Sequence, residues 1–170
     1  MLMNPGLNSI RSRKQSGFSM LEVLITVLIL SFGLLGMASM VTTGMKSNNT
    51  SHYRSVATQQ TQDIADRMRA NLTGVRNGFY NNLATNIPTS SDCAATACDA
   101  TQMAVYDHAQ WNTANSRVLP GGLGTVAGNL AIGFLITVIW TEKEMGNTSD
   151  PRCPVGTPAG TRCFLTQFSP

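Results

Sequence analysis

Polarity changes sharply along the chain. Residues 1–17 are polar and basic, and an apolar run, FSMLEVLITVLILSFGLLGMASMV, follows from Phe18 to Val41. A helix over this run would be about 35 Å long at about 1.5 Å per residue, enough to cross a bilayer core of about 30 Å. The run has no proline; Gly33 and Gly36 are weak in soluble helices but ordinary in membrane ones. Beyond Val41 a helical period persists. Tyr53, Ala57, Thr61, Ile64, Met68, Leu72, Val75 and Phe79 recur at spacings of three and four and share one face. Asp63 and Arg67 form an i,i+4 pair off that stripe. The pattern predicts one long helix, apolar all round in its first half and amphipathic in its second, with Gly78 as its stop. Gly44 and the polar residues Ser47 to Ser51 make a weak stretch between the halves, open to a bend or local unwinding.

The remainder alternates between loops and short elements. Residues 85–101 are rich in Thr, Ser, Asn, Ala and Asp around Pro88 and read as a surface loop. Asp99 and Gln102 have capping-box spacing and predict a helix over about 103–117, ended by Pro120-Gly121-Gly122. The best strand is Leu130–Thr141, with Leu130, Ile132, Phe134, Ile136, Val138 and Trp140 on one face. Apolarity alone would also admit a helix there; β-branched content and the turn signal Gly146-Asn147 favour the strand. Phe164, Thr166 and Phe168 alternate in a last strand. No internal repeat is visible.

Composition narrows the possibilities. The chain has 170 residues, only 12% of them charged, and a formal net charge of +3. An apolar share of 42% excludes a disordered chain, a collagen or a coiled-coil rod. Arg11, Arg13 and Lys14 lie in the first 17 residues and no acid does, so the rest of the chain is balanced. Clustered bases for phosphate contacts are missing, which argues against nucleic acid as a partner. The basic flank places the amino terminus in the cytoplasm and sends the remainder across the membrane. A cleaved secretory signal fits poorly, because the apolar run is too long and Met37-Ala38-Ser39 is a weak cleavage site.

Glu22 separates a plain anchor from something more specific. It lies five residues into the apolar run, where a carboxylate costs several kcal/mol unless paired or neutralised. A cut between Gly17 and Phe18 would expose an α-amine on Phe18, about one helical turn from Glu22. That amine could meet the carboxylate of its own or a neighbouring chain, and each charge would compensate the other.

The segment Lys14-Gln15-Ser16-Gly17-Phe18-Ser19-Met20-Leu21-Glu22-Val23, followed by the apolar run, resembles the class III signal of type IV prepilins. Gly17 to Ala38 resembles the PilV-type minor pilins in particular. Many major pilins carry proline around the twenty-second mature position, which here is Ser39. The order Trp111, Leu119-Pro120-Gly121-Gly122-x-Gly124-x-Val126, Ile139-Trp140 is similar to that family too, although such residues more often mark only core and turn. The resemblance implies an α+β, type IV pilin-like fold: a long N-terminal helix, transmembrane in its first half, packed on a small C-terminal antiparallel β-sheet domain. Residues 1–17 would be a leader removed by prepilin peptidase after Gly17, and Phe18 the N-methylated first mature residue. Residues 18–45 would form the membrane and filament-core half of the helix, 46–80 the amphipathic half, and 81–170 the periplasmic domain. Glu22 would serve subunit assembly. Implied partners are other minor and major pilins through their N-terminal helices, prepilin peptidase and the assembly platform. The protein would sit in the inner membrane by a single pass and then join a pilus at the cell surface. A minor pseudopilin of type II secretion shares the whole amino terminus, and a tip adhesin or DNA-uptake pilin is a further reading.

Four cysteines, Cys93, Cys98, Cys153 and Cys163, follow the apolar run, on the side assigned to the oxidising periplasm. They allow three pairings, and the sequence does not choose among them. The short-range choice, Cys93–Cys98 with Cys153–Cys163, needs the smallest closures and is the expectation. Zinc is disfavoured, because four and nine residues intervene within these pairs, whereas structural zinc prefers two to four. His52 and His108 are isolated and read as surface or packing residues. Glu142, Glu144 and Asp150, near Lys143 and Arg152, read as a solvated loop. No G-x-S-x-G, H-E-x-x-H or Walker pattern occurs. The expectation is a structural protein with no catalytic residues, cofactor or metal.

Overall fold

The computed structural model describes residues 17–170, so the proposed leader lies outside the described residues except for Gly17. The elements in order are α1 (Met20–Ala70), α2 (Leu72–Arg76), β1 (Asn82–Leu83), α3 (Ala100–Val118), β2 (Leu123–Asn129), β3 (Gly133–Thr141), a 3-10 turn (Lys143–Met145) and β4 (Thr161–Phe168). The fold is α+β: a long, initially apolar helix followed by a four-stranded antiparallel sheet in the order β1-β2-β3-β4. The chain divides into two units at Lys46/Ser47.

Within the first unit the apolar part of α1 is exposed throughout. α1 is long and apolar enough to cross a membrane. Its hydroxyls bond to their own helix: Thr26 Oγ1 donates to the Val23 carbonyl at 2.8 Å, Ser31 Oγ to Val27 at 2.7 Å, and Thr42 Oγ1 to Ser39 at 2.9 Å. Such side chains enter an apolar medium with their donors already satisfied. The weak stretch Gly44 to Ser51 remains α-helical, so no unwinding occurs there.

The second unit holds the core. Ala57, Thr61, Ile64 and Met68 are buried along α1, as the stripe predicts. The stripe then breaks. α1 ends at Ala70, and Asn71 turns away to cap α2, its Oδ1 accepting the Gly74 amide at 3.1 Å. Leu72 and Phe79 are therefore 43% and 37% exposed, and Tyr80 takes the core position expected of Phe79. The end of the helix near Gly78 is correct, but the single helix is two.

α3 begins three residues before the expected start. Asp99 caps it directly, accepting from Thr101 and Gln102 amides, while Gln102 Oε1 accepts the Asp99 amide at 3.0 Å. β3 begins at Gly133, so Leu130 and Ile132 fall in the β2–β3 turn, 50% and 81% exposed, instead of on the core face. Phe134, Ile136, Val138 and Trp140 do face the core. Opposite them on β4 stand Phe168, Thr166, Phe164 and Arg162. β1 and β2 are additions to the expected elements. β2 carries two glycines that break its apolar alternation, and one is needed: a Cβ on Gly124 would lie 2.2 Å from the Trp111 ring. That close approach seats α3 on the sheet, while Trp111 Nε1 donates to the Gln60 carbonyl of α1 at 2.8 Å.

Candidate processing and assembly site

Gly17, Phe18 and Ser19 lie outside any helix or strand and are exposed, directly before the helix. The expected helix over Phe18 therefore starts later, at Met20. Ser19 is the reason: its carbonyl accepts the Glu22 and Val23 amides at 3.0 and 3.2 Å, and its Oγ accepts the Leu21 amide at 3.3 Å. A serine in this position satisfies amides that a helix end otherwise leaves orphaned. Glu22 lies in the first turn, where a carboxylate is favoured by the positive end of the helix. The structure thus presents the Gly17–Phe18 bond in an accessible, non-helical stretch, with Glu22 exposed one turn into an apolar helix. No side chain among the described residues bonds to Glu22.

The cysteines lie elsewhere. Cys93 is bonded to Cys98 and Cys153 to Cys163, the short-range pairing. The first bridge closes the loop before α3; the second ties the β3–β4 loop to β4. The carboxylates of that second loop correct the sequence reading. Glu142 and Asp150 are not solvated: they are 3% and 4% exposed. Glu142 pairs with Arg162 of β4 and accepts a hydrogen bond from Thr50 Oγ1 of α1. Asp150 holds Arg152 by two bonds, from Nε at 3.0 Å and Nη2 at 2.7 Å. The Arg152 hydrogen bonds outweigh burial and hold the Asp150 carboxyl down at about 2. Glu144 is exposed, as expected.

Two polar clusters inside the domain were not legible as such. In one, Tyr80 Oη donates to Asp107 Oδ2 at 2.5 Å, and Arg67 reaches Asp107 at 3.3 Å while holding Asp63 at 3.1 Å. Burial, the bond to Asp107 and its charge push the Tyr80 phenol well above its usual range. In the other, Asn112 is fully buried. Its Oδ1 accepts the Gly124 amide at 2.7 Å, and its Nδ2 donates to the carbonyls of Ala84, Asn86 and Gly124 at 3.1, 3.1 and 3.2 Å. His108 Nε2 lies 2.7 Å from the Ala84 carbonyl and is a packing residue. Only the capping role of such residues has a local signal, and Asn112 sits mid-helix without one. The bonds of both clusters run between separate elements and hold them together. No group of three His, Cys, Asp or Glu residues suited to a metal occurs among the described residues.

Comparison with known families adds two findings. Residues 12–38 match the prokaryotic N-terminal methylation motif. Residues 39–109 match the family described as Type IV pilin Tt1218. The two matches support a type IV pilin. The first match spans Gly17, Phe18 and Glu22; the second spans the rest of α1, the Cys93–Cys98 loop and half of α3 of this pilin-like chain. No curated protein and no solved structure matches it.

Proposed function

We propose that the chain is a minor pilin: cut by prepilin peptidase between Gly17 and Phe18, methylated on the Phe18 amine, and then used as a structural subunit in type IV pilus assembly. The observation that carries this reading is the register of accessible Gly17-Phe18 against Glu22 at the head of an exposed apolar helix, inside the matched methylation motif. The minor role rests on Ser39, which stands where many major pilins carry proline. The chemistry is charge compensation. A carboxylate at low dielectric needs a cation, and cleavage creates one; leaving either ion buried and alone costs about 3–5 kcal/mol. Residues 18–45 pack beside the helices of other pilins, the domain from about residue 81 faces the periplasm, and Glu22 selects a neighbour's α-amine. The motor and platform are separate proteins.

Intact and amino-terminal mass spectrometry of the protein from its native membrane tests this. A chain beginning at N-methylated Phe18 is expected. A chain that keeps residues 1–17, or one cut near Ser39, overturns the proposal.

A further inference from the structure

Ser47 to His52 open the part of α1 that belongs to the second unit, and packing does not hold them. Ser47, Asn48, Asn49, Ser51 and His52 are exposed, and the core begins only with half-buried Tyr53 and buried Ala57. Composition does not hold them either. None of the six is a strong helix former, and serine and asparagine compete for backbone hydrogen bonds in other conformations. A cleft of about 320 Å³ lies beside this segment, with Asn49 and Tyr53 on one wall and Thr141, Glu142 and Glu144 on the other. Among the described residues, one side-chain hydrogen bond joins the segment to the rest of the domain: Thr50 Oγ1 donates to Glu142 Oε1.

Thr50 is the exception among the threonines of α1. Thr26, Thr42, Thr43, Thr58 and Thr61 each donate to a carbonyl of their own helix, three or four residues back. Thr50 alone reaches another element. Its acceptor is a fixed one. Glu142 is 3% exposed, pairs with Arg162 of β4, and donates its amide to the Gly160 carbonyl at 2.8 Å. Because Arg162 stays with it, Glu142 does not become an unpaired buried ion when Thr50 lets go. The bond can therefore open without leaving a stranded charge.

We propose that Thr50 and Glu142 form a latch, closed in this structure, that decides where the docked part of α1 begins. Closed, it begins at Ser47. Open, the Thr50 hydroxyl is satisfied by its own backbone or by water, and the segment is left to its weak propensities and frays as far as Tyr53. Elements that move are drawn from the least stable parts of a fold, and this one rests on a single polar bond. Six residues span about 9 Å as helix and about 20 Å when extended, so opening lengthens the connection between Lys46 and Tyr53. The latch does not depend on the proposed pilin function.

Site-resolved amide hydrogen exchange on the full chain in detergent tests it. Thr50→Val keeps the shape and β-branching of threonine and removes the hydroxyl. The amides of Ser51 to Arg54 should then exchange about 10–100-fold faster, the range expected for one hydrogen bond to a charged group, while those of Ile64 and Met68 keep their rates. Thr50→Ser retains the donor and should match the parent. Thr58→Val removes a hydroxyl that bonds within the helix and should leave Ser51 to Arg54 unchanged. Parental rates in Thr50→Val overturn the proposal. Equal acceleration in Thr58→Val overturns it too, since any lost hydroxyl would then have the same effect. Acceleration at Ile64 and Met68 also overturns it, because the bond would then support the whole unit instead of one segment.

Discussion

Asn112 offers the sharpest test of how this domain is held together. Replacing it with alanine removes the only acceptor of the buried Gly124 amide, and a buried donor left unsatisfied costs about 1–3 kcal/mol. It also removes two amide hydrogens shared by three carbonyls. The Ala84 carbonyl keeps His108, whereas Asn86 and Gly124 lose a donor, at about 0.5–1.5 kcal/mol each. The expected loss is about 2–6 kcal/mol, a large part of the roughly 5–15 kcal/mol available to a domain of ordinary stability. Asn112→Leu separates the causes. It refills the volume but restores none of the bonds, so it should lose nearly as much as alanine. Both tryptophans, Trp111 and Trp140, lie in the second unit, so their fluorescence during urea unfolding of the detergent-solubilised chain reports this unit alone. A leucine variant within about 1 kcal/mol of the parent would refute the hydrogen-bond argument and assign the role of Asn112 to packing.

Other perturbations follow from the same geometry. Gly124→Ala drives a Cβ into the Trp111 ring and should destabilise the unit by about 1–3 kcal/mol or more, with a shifted Trp emission as the sign that α3 has moved. Trp111→Phe should cost about 1 kcal/mol more than Trp140→Phe in the same unfolding assay, because Trp111 Nε1 has a partner and the buried Trp140 Nε1 has none. For Asp150 the folded pKa of about 2 lies below its ordinary 3.8, so its stabilisation is complete above about pH 4 and is lost as pH falls towards 2. Arg152→Ala should remove that acid-limb dependence and, since Arg152 is largely in solvent, change the urea midpoint little at neutral pH, read from urea midpoints across pH.

What the sequence revealed, and what it hid, divides along physical lines. Signals carried by local periodicity were readable: the apolar and amphipathic parts of α1, the Asp99–Gln102 capping box, and the alternation of Phe134 to Trp140 on β3. Where a tertiary contact decides the outcome they failed. β2 was invisible because Gly124 and Gly128 interrupt its pattern, and the reason for Gly124 is a ring from another element. Leu130 and Ile132 continue the alternation of β3 in sequence, but the β2–β3 register places them in a turn. Phe79 keeps the helical period that Asn71 has already broken. Glu142 and Asp150 look like a solvated charge run until Arg162, Thr50 and Arg152 come to them. For the candidate site the order is reversed. Gly17, Phe18 and Glu22 carry their meaning in linear register, and the structure adds that the helix waits until Met20.

The two parts of α1 obey different rules, and the difference explains why the candidate site reads so plainly. From Ser47 onward the helix spends its apolar residues on one face, and the sheet and α3 bury them. Before Lys46 apolar residues cover every face and none is buried, although the backbone and hydroxyls are satisfied internally. Such a surface in water would lose roughly 1.5–3 kcal/mol per large side chain relative to burial, so the chain cannot supply that environment by itself. Lipid or neighbouring helices must. In that environment the main unsatisfied demand is Glu22, since its hydroxyl-bearing neighbours have already bonded to the backbone. A helix that is otherwise indifferent to its partner thus acquires one specific requirement, a cation near its first turn. The amine released at Phe18 would be the cation nearest in register, and only processed chains would carry it.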